Sequence, residues 1–218
     1  MAAMAHPRAR WLLLLVLTCF VTTGCAAKKF RLAESGPPVQ GAGAEGAVVV
    51  VLQVADARTD RDIDKLIERP VLEEMQALLQ QELMATGRVS RVVLAPDASA
   101  ELMIEVELRQ LAWEVPDYKR KMATATAVGA ASGGLGALLY GSFPTDVHGH
   151  AVVAVTIKRA ASGELLMSRP FRAQVTDRRA NLTSDTPGTK AEMVTKSVRK
   201  LLAEWRTEIA PLLEKDAR

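Results

Sequence analysis

The sequence lacks the motifs that accompany common catalytic chemistry. It contains no G-x-S-x-G nucleophile elbow, no H-E-x-x-H zinc motif and no phosphate-binding P-loop. It also lacks a marked excess of one charge, since 28 basic side chains stand against 25 acidic ones. Charge therefore gives no reason to expect a nucleic-acid partner. These absences predict a protein that is not an enzyme and that acts by binding.

The amino-terminal segment, which contains both cysteines of the chain, has the arrangement of a bacterial secretory signal. Arg8 and Arg10 precede an apolar run over residues 11–20. As a helix this run would be about 15 Å long, which is half of a ~30 Å hydrocarbon layer, so it is too short to span a bilayer. Residues 1–24 are therefore predicted to be a signal peptide that is removed.

The end of this segment, Gly24-Cys25, resembles the lipobox of bacterial lipoproteins, in which a small residue precedes the cysteine that becomes acylated. Thr22 departs from that pattern, which prefers a large aliphatic residue there. The resemblance implies several acyl chains on Cys25, and stable anchoring requires more than one. Since Ala26 follows in place of the aspartate that favours the inner membrane, it also implies the periplasmic face of the outer membrane. The covalent lipid is the only cofactor expected.

Two other cleavage sites remain open. Cys19 could be the acylated residue, although cleavage there would leave Phe20 exposed. Ordinary cleavage after Ala27 would give a soluble periplasmic protein. Cleavage before Cys25 leaves 194 residues, with 26 basic and 25 acidic side chains and no second cysteine. No intrachain disulfide can then form, so the fold must rest on its hydrophobic core.

The rest of the chain is predicted to be a tether followed by one α+β domain. Residues 25–46 contain Pro37, Pro38 and several glycines but little that could pack, which is typical of a flexible linker. Residues 47–215 predict a two-layer sandwich, in which an antiparallel or mixed sheet of about four to five strands carries two helices on one face. The predicted order is β-α-β-β-insertion-β-β-α, with strands over 47–54, 89–94, 101–115 and on both sides of Ser162-Gly163, a helix between Pro70 and Gly87, and a C-terminal helix.

Several local features of this domain give sharper predictions. The apolar phase of the third strand slips by one residue next to Arg109, which predicts a β-bulge. Arg169 falls in the inward series of its strand, so we expect it at an edge or paired with an acid. Thr189 and Glu192 have the spacing of a capping box and predict the start of the last helix, and Pro211 predicts its end.

The stretch Val48 to Asp60, which contains ADARTD over 55–60, resembles the YajG-type family of bacterial lipoproteins, and the order of the later elements agrees with it. The resemblance implies an envelope location and no catalytic activity. That family is similar in architecture to small lipoproteins that serve as accessory subunits in lipopolysaccharide assembly and lipid transport. The stretch between the two halves of the sheet departs from the family, because it is longer and more apolar here.

The charged loop after the first strand is one candidate site. Asp56, Arg58 and Asp60 lie at the end of a predicted central strand, where functional loops are common, so they are candidate partner-binding residues. The alternative is a solvated turn whose ion pairs contribute little. Calcium is not favoured, because arginines separate the acids and the downstream ligand pattern is missing.

The apolar stretch over 122–143 is the second candidate site. It has no charged residue, and its five glycines weaken its tendency to enter lipid. We predict a hairpin or short helix there that contacts a membrane or further copies of the chain. The candidate contact residues are Gly129, Gly133, Leu135, Leu138, Leu139 and Tyr140. The alternatives are an extension of the flanking strands into a Gly-rich hairpin, or a mobile loop.

The remaining polar residues give little support to a metal site or a catalytic site. His148 and His150 could share a metal, but a site needs three or four ligands and only Asp146 is near, so no metal is expected. The leading hypothesis is an outer-membrane lipoprotein whose domain is an accessory or scaffold for an unidentified envelope protein. The alternative is a membrane-inserting or self-assembling protein that acts through 122–143. A hydrolase of envelope polymers is a third hypothesis, and it lacks a catalytic site.

Overall fold

The computed structural model of the chain describes residues 29–32, 48–132 and 135–216. The predicted signal peptide and Cys25 lie outside these ranges. The strands are β1 Val48–Asp56, β2 Val89–Val93, β3 Leu102–Glu114, β4 Pro144–Arg159 and β5 Leu165–Ala180. The helices are α1 Val71–Ala85, α2 Tyr118–Ala131, α3 Leu135–Ser142, α4 Asn181–Ser184 and α5 Pro187–Asp216, and a 3₁₀ turn spans Asp62–Lys65.

The strands form a five-stranded mixed sheet in the order β2-β1-β3-β4-β5. Strand β1 pairs in parallel with both β2 and β3, whereas β4 pairs antiparallel with both β3 and β5. Parallel neighbours need a crossover connection, and helix α1 makes the one between β1 and β2. The α+β sandwich predicted from the sequence is confirmed, in its mixed-sheet form.

Helices α1 and α5 cover one face of the sheet. The side chains of β3 are buried at alternate positions, because successive residues of a strand point to opposite faces. They belong to one core with Leu79 of α1 and Trp205 of α5, which are exposed by 0% and 1%. The other face carries polar side chains, among them Glu105, whose carboxylate lies 2.8 Å from the ammonium of Lys158 on β4. The fold therefore has a dry face under the helices and a wet face opposite.

The predicted β-bulge in β3 is confirmed. The register with β4 shifts between Leu108 and Gln110, so Arg109 has no partner across the ladder. The inward series consequently passes from Leu108 to Leu111, and both are buried. One extra residue in the strand restores the apolar phase to the core face.

The start of α5 differs from the predicted capping box. The helix begins at Pro187, two residues before Thr189, and the hydroxyl oxygen of Thr186 accepts a hydrogen bond from the Thr189 amide at 3.2 Å. Glu192 instead pairs with Arg179 of β5 at 2.6 Å. The prediction of a box at Thr189 and Glu192 was therefore wrong. Thr186 followed by a proline at the first helical position provides the cap.

The predicted end of this helix was also wrong, because α5 continues through Pro211 to Asp216. A proline inside a helix removes one backbone hydrogen bond and crowds the preceding turn. Ile209 and Leu213 stand on either side of it and are both fully buried in the core. Their burial holds the last turns in helical conformation despite that cost.

The predictions for the β4–β5 hairpin are confirmed. Gly163 in its turn has φ +70°, a left-handed conformation that favours glycine. Arg169 lies on the edge strand β5, and its guanidinium is 3.2 Å from the carboxylate of Glu208 on α5 and 4.6 Å from the ring centre of Phe171. An arginine in an inward series is thus both paired and at an edge.

Residues 29–32, inside the predicted tether, pack on the domain. The Phe30 amide donates to the carbonyl oxygen of Leu66, and the Glu68 amide donates to the carbonyl oxygen of Phe30, both at 2.9 Å. Leu32 is 3% exposed and belongs to the core. The surrounding segment has a low apolar content, so the sequence did not indicate that Phe30 and Leu32 pack on the domain. Here the structure differs from the predicted flexible linker.

Candidate functional site

The described part of the insertion between β3 and β4 contains a pair of helices, α2 and α3, which we call the helical hairpin (residues 118–132 and 135–142). Its first helix begins after Asp117, which has φ 58°. The predicted alternative, an extension of the flanking strands, was wrong. Alanine is the commonest residue of α2, and it has the highest intrinsic helix propensity.

The two helices of the helical hairpin approach closely at Gly136. A methyl group there would lie 2.6 Å from a Val128 methyl carbon. The Gly136 amide donates to the hydroxyl oxygen of Ser132 at 2.7 Å. Gly129 on α2 is buried, in keeping with its small size. The sequence indicated Gly129 and Gly133, four residues apart, as the small-residue contact. It missed Gly136, which stands four residues after the small residue Ser132.

The described part of the helical hairpin exposes large apolar side chains. The large apolar side chains that are exposed in the described part of the chain are Leu94, Met122, Val128, Phe143 and Leu165. Three of them lie on the hairpin or directly after it, with exposed fractions of 41%, 39% and 58% for Met122, Val128 and Phe143. Apart from Leu94 and Leu165, the large apolar residues that are described elsewhere are at least partly buried, so the hairpin is where an apolar partner would find the most contact.

The threonine hydroxyls of α2, and the hydroxyl of Ser132 directly after it, are satisfied by backbone carbonyls of the helix. Thr124 donates to the carbonyl oxygen of Arg120 and Thr126 to that of Met122, each at 3.0 Å. Ser132 donates to the carbonyl oxygen of Val128 at 2.6 Å. Because an unsatisfied donor is what makes a hydroxyl costly in an apolar environment, these bonds reduce the polarity that the helix presents outward.

The base of the helical hairpin is fixed to the domain and is basic. The Asn181 side-chain amide donates to the carbonyl oxygen of Tyr140, and its backbone amide donates to that of Phe143, both at 3.0 Å. The rings of Tyr140 and Phe143 meet edge to face at 6.1 Å. Three consecutive cations, at 119–121, open α2, and no acid follows them before Asp146. The hairpin is thus a braced projection with cations at its root.

The predicted contact residues fall partly within the described structure. Gly129 is buried and Tyr140 is half-buried. Leu135, Leu138 and Leu139 lie in α3, and their side chains are outside the described part, as is the whole of Gly133. Within the described residues, none of the helices combines the length and the apolarity needed to cross a bilayer.

The charged loop after β1 is organised around a buried arginine. Arg58 is 5% exposed, its Nε donates to Asp56 at 2.9 Å, and its Nη1 donates to Asp64 at 2.8 Å. Hydrogen bonding from Arg58 lowers the pKa of the Asp56 carboxyl, against the opposing effect of burial. Asp60 is not part of this group and instead accepts a hydrogen bond from the Asp62 amide at 2.8 Å.

This arrangement differs from a solvated turn, and it leaves Arg58 unavailable to a partner, whereas partner binding by Asp56 and Asp60 stays a prediction. The guanidinium of Arg58 points inward and forms ion pairs with two carboxylates, so it is neither solvated nor open to a partner. The sequence missed Asp64, because nothing in its spacing shows that the 3₁₀ turn returns it to the end of β1. The cluster closes the carboxyl end of β1 and positions the segment that leads to α1.

The wet face of the sheet holds the two histidines and a shallow groove of about 530 Å³ at the bulge. His148 Nδ1 lies 2.8 Å from the hydroxyl of Thr176, and His150 Nε2 lies 3.3 Å from a carboxylate oxygen of Glu114 without hydrogen-bond alignment. The described residues contain no group of three or more His, Cys, Asp or Glu placed to hold a metal ion. Arg172 and Gln174 line the groove together with His150.

No protein-family model matches the chain, and no curated protein matches it. Solved structures similar to it include a protein from Helicobacter pylori described as a neuraminyllactose-binding hemagglutinin homolog, with 10% identity over 87% of this chain and 96% of that one and a TM-score of 0.48. The minor lipoprotein from Acinetobacter baumannii has 13% identity over 75% and 91%, with a TM-score of 0.37. A protein from Caulobacter crescentus CB15 described as a lipoprotein has 10% identity over 63% and 81%, with a TM-score of 0.34. The solved structures similar to this chain thus include bacterial lipoproteins.

Proposed function

We propose that the chain is a non-catalytic lipoprotein of the outer membrane, held at the periplasmic face by acylated Cys25, whose domain is an accessory or scaffold binding module of the cell envelope. The helical hairpin is its contact surface. The observation that carries this proposal is the contrast between a well-packed domain and a braced projection that exposes Met122, Val128 and Phe143.

The amino-terminal sequence supports the anchor. A short apolar run followed by Gly24-Cys25 is the arrangement of a lipoprotein signal. The resemblance of residues 48–60 to the YajG-type family supports the same location. A lipid on Cys25 would keep the domain at the membrane while leaving its surface free to bind.

A binding role, rather than catalysis, is supported by where the polar groups stand. Two acids of the wet face are paired with neighbouring cations, Glu105 with Lys158 and Glu107 with Arg109, each pair at 2.8 Å. Each of these carboxylates is held by its own cation on an open face, rather than facing a second catalytic group across a pocket as a general acid and base do. The binding surface is therefore sought on the apolar projection.

The anchor is tested by intact mass and membrane fractionation of the wild type, Cys25→Ser and Cys19→Ser, each expressed in a bacterium that acylates lipoproteins. We expect diacylglyceryl and a fatty acid on the wild type, recovery with the outer membrane, and loss of both in Cys25→Ser. Cys19→Ser is the matched control and should behave as the wild type, because Cys19 leaves with the signal. Loss of acylation in Cys19→Ser alone, or a wild type cleaved after Ala27, would overturn the proposal.

A further inference from the structure

We propose that the helical hairpin lies in the headgroup region of the same membrane leaflet that carries the Cys25 lipid, and so fixes the orientation of the domain. The inference rests on the proposed acylation of Cys25. The occupant of the exposed apolar surface is then a phospholipid bilayer rather than a second protein.

The first argument is the length of chain between the lipid and the domain. Phe30 is fixed by hydrogen bonds to Leu66 and Glu68. Only five peptide steps separate Cys25 from Phe30, and an extended chain spans at most about 3.5 Å per residue, so the two Cα atoms are no more than about 17 Å apart. The domain therefore stays close to the membrane.

The second argument is that this attachment and the helical hairpin lie at the same end of the sheet. Phe30 is bridged to Ile67, in the segment that follows the carboxyl end of β1. Strand β3 runs parallel to β1, and it passes directly toward the hairpin at its own carboxyl end. Beyond Leu108, which pairs with the end of β1, β3 continues for six residues, about 20 Å. The greatest length of the segment from Cys25 to Phe30 is thus similar to the distance by which β3 extends toward the helical hairpin.

The third argument is the distribution of polarity along the helical hairpin. Its root carries the three cations at 119–121, of which Arg120 also pairs with Asp117. Residues 122–143 beyond them carry no charge, and the hydroxyls of Thr124, Thr126 and Ser132 are satisfied internally. Cations at the level of the headgroups are attracted by anionic lipid, at about 1 kcal/mol each. Helix α2 has 14 residues and is about 21 Å long, so it is shorter than the hydrocarbon layer and suits the interface.

A second copy of the chain fits these observations less well. Two hairpins packed side by side would bring their cationic roots together, and like charges repel. A bilayer offers opposite charge at the same position. The modest apolar area of Val128 and Phe143 would bind an unanchored protein to a membrane only weakly. A short tether raises the local concentration of membrane around the hairpin, so that even a weak contact is occupied.

The test places a polarity-sensitive NBD label on the acylated full chain in vesicles of phosphatidylethanolamine and phosphatidylglycerol. Val128→Cys provides a unique thiol on the hairpin, since Cys25 is acylated and Cys19 is removed with the signal. Leu165→Cys is the matched control, because Leu165 is equally apolar and 59% exposed but follows the turn at the opposite end of β4. Lipids bearing a headgroup nitroxide serve as quencher.

We expect a blue-shifted label at position 128 that loses on the order of half its fluorescence to the lipid nitroxide, as an interfacial helix ~5–10 Å deep would. The label at 165 should stay water-like and unquenched. Equal behaviour at both positions in acylated protein would overturn this inference and leave the anchor intact. Quenching between labelled copies, without quenching by lipid, would assign the surface to a second copy instead. Absence of acylation by intact mass would overturn the anchor and this inference together.

Discussion

The helix-covered sheet and the helical hairpin contain similar shares of apolar residues but bury them differently. In the sheet, apolar residues alternate with charged ones, as Ile104 does with Glu105, and each is carried to the face that suits it. In the hairpin, no charge interrupts residues 122–143, yet Val128 remains exposed. Apolar content alone thus does not decide burial. A periodic pattern and a complementary surface to pack against are both needed.

The largest expected difference between the two regions comes from removing apolar volume. Leu79→Ala should lower the free energy of unfolding by about 2–5 kcal/mol, because it leaves a cavity at a fully buried position. Val128→Ala, on the exposed face of α2, should change it by less than about 0.5 kcal/mol. Urea unfolding followed by circular dichroism measures both. A hairpin that is buried within the monomer would make the two values similar.

A second, smaller difference is expected from two crowded glycines. A methyl group on Gly149 of β4 would meet the backbone of α5, 2.7 Å from the carbonyl carbon of Met193. Gly149→Ala should therefore cost about 1–3 kcal/mol, since α5 must move as a whole.

Gly136→Ala is the matched substitution in the helical hairpin. Its two nearest obstacles are the side chains of Ser132 and Val128, which can shift, and the Val128 carbonyl oxygen would lie 3.0 Å away, where a small displacement suffices. Alanine also favours helix by up to about 1 kcal/mol. We expect a change in unfolding free energy below about 1 kcal/mol for it, measured in the same urea titration. A cost equal to that of Gly149→Ala would show that the two hairpin helices are as rigidly held as the core.

The smallest expected effect concerns the loss of stability in acid. It compares the buried ion cluster around Arg58 with the cations at the root of the helical hairpin. Asp56 has a lowered pKa in the folded chain because Arg58 hydrogen-bonds to it. The stability that it contributes is therefore present above the unfolded carboxyl pKa of about 4 and is lost as pH falls below that value. Asp56→Asn should lower stability at pH 7 by about 1–2 kcal/mol and should flatten the loss between pH 4 and pH 2.

Replacement of the three cations at 119–121 by glutamine is the control for that measurement. Arg120 pairs with Asp117 at 3.1 Å on the surface, and exposed pairs of this kind contribute little. The acid unfolding curve, followed by tryptophan fluorescence, should then match that of the wild type. An acid response equal to that of Asp56→Asn would place the acid-sensitive contact in the hairpin rather than at the end of β1.

Features that rest on local periodicity were predictable from the sequence. The phase slip beside Arg109 required a bulge, because a one-residue shift would otherwise have turned the apolar set of β3 toward water. The α+β class followed in the same way from strand and helix periods. The start of α5 was missed, although Thr186-Pro187 is itself a local start signal, with a capping residue followed by proline at the first helical position.

Features that join distant parts of the chain were not predictable. Arg58 and Asp64 meet because the 3₁₀ turn folds back on the end of β1, and Phe30 reaches Ile67 across 37 positions of sequence. No local pattern encodes such contacts. The shortening of the predicted tether depends on that second contact.

The sequence by itself determined the period of each element, the two-layer class and the arrangement of a lipoprotein signal, because each is written in neighbouring residues. The tertiary structure decided which polar groups pair with one another inside the domain. It also decided that the amino-terminal segment is fixed at Phe30 and that the apolar insertion projects from the domain. Those outcomes depend on which surfaces meet after the chain has folded. The free energy of burying a side chain is set by its neighbours in space rather than by its neighbours in sequence.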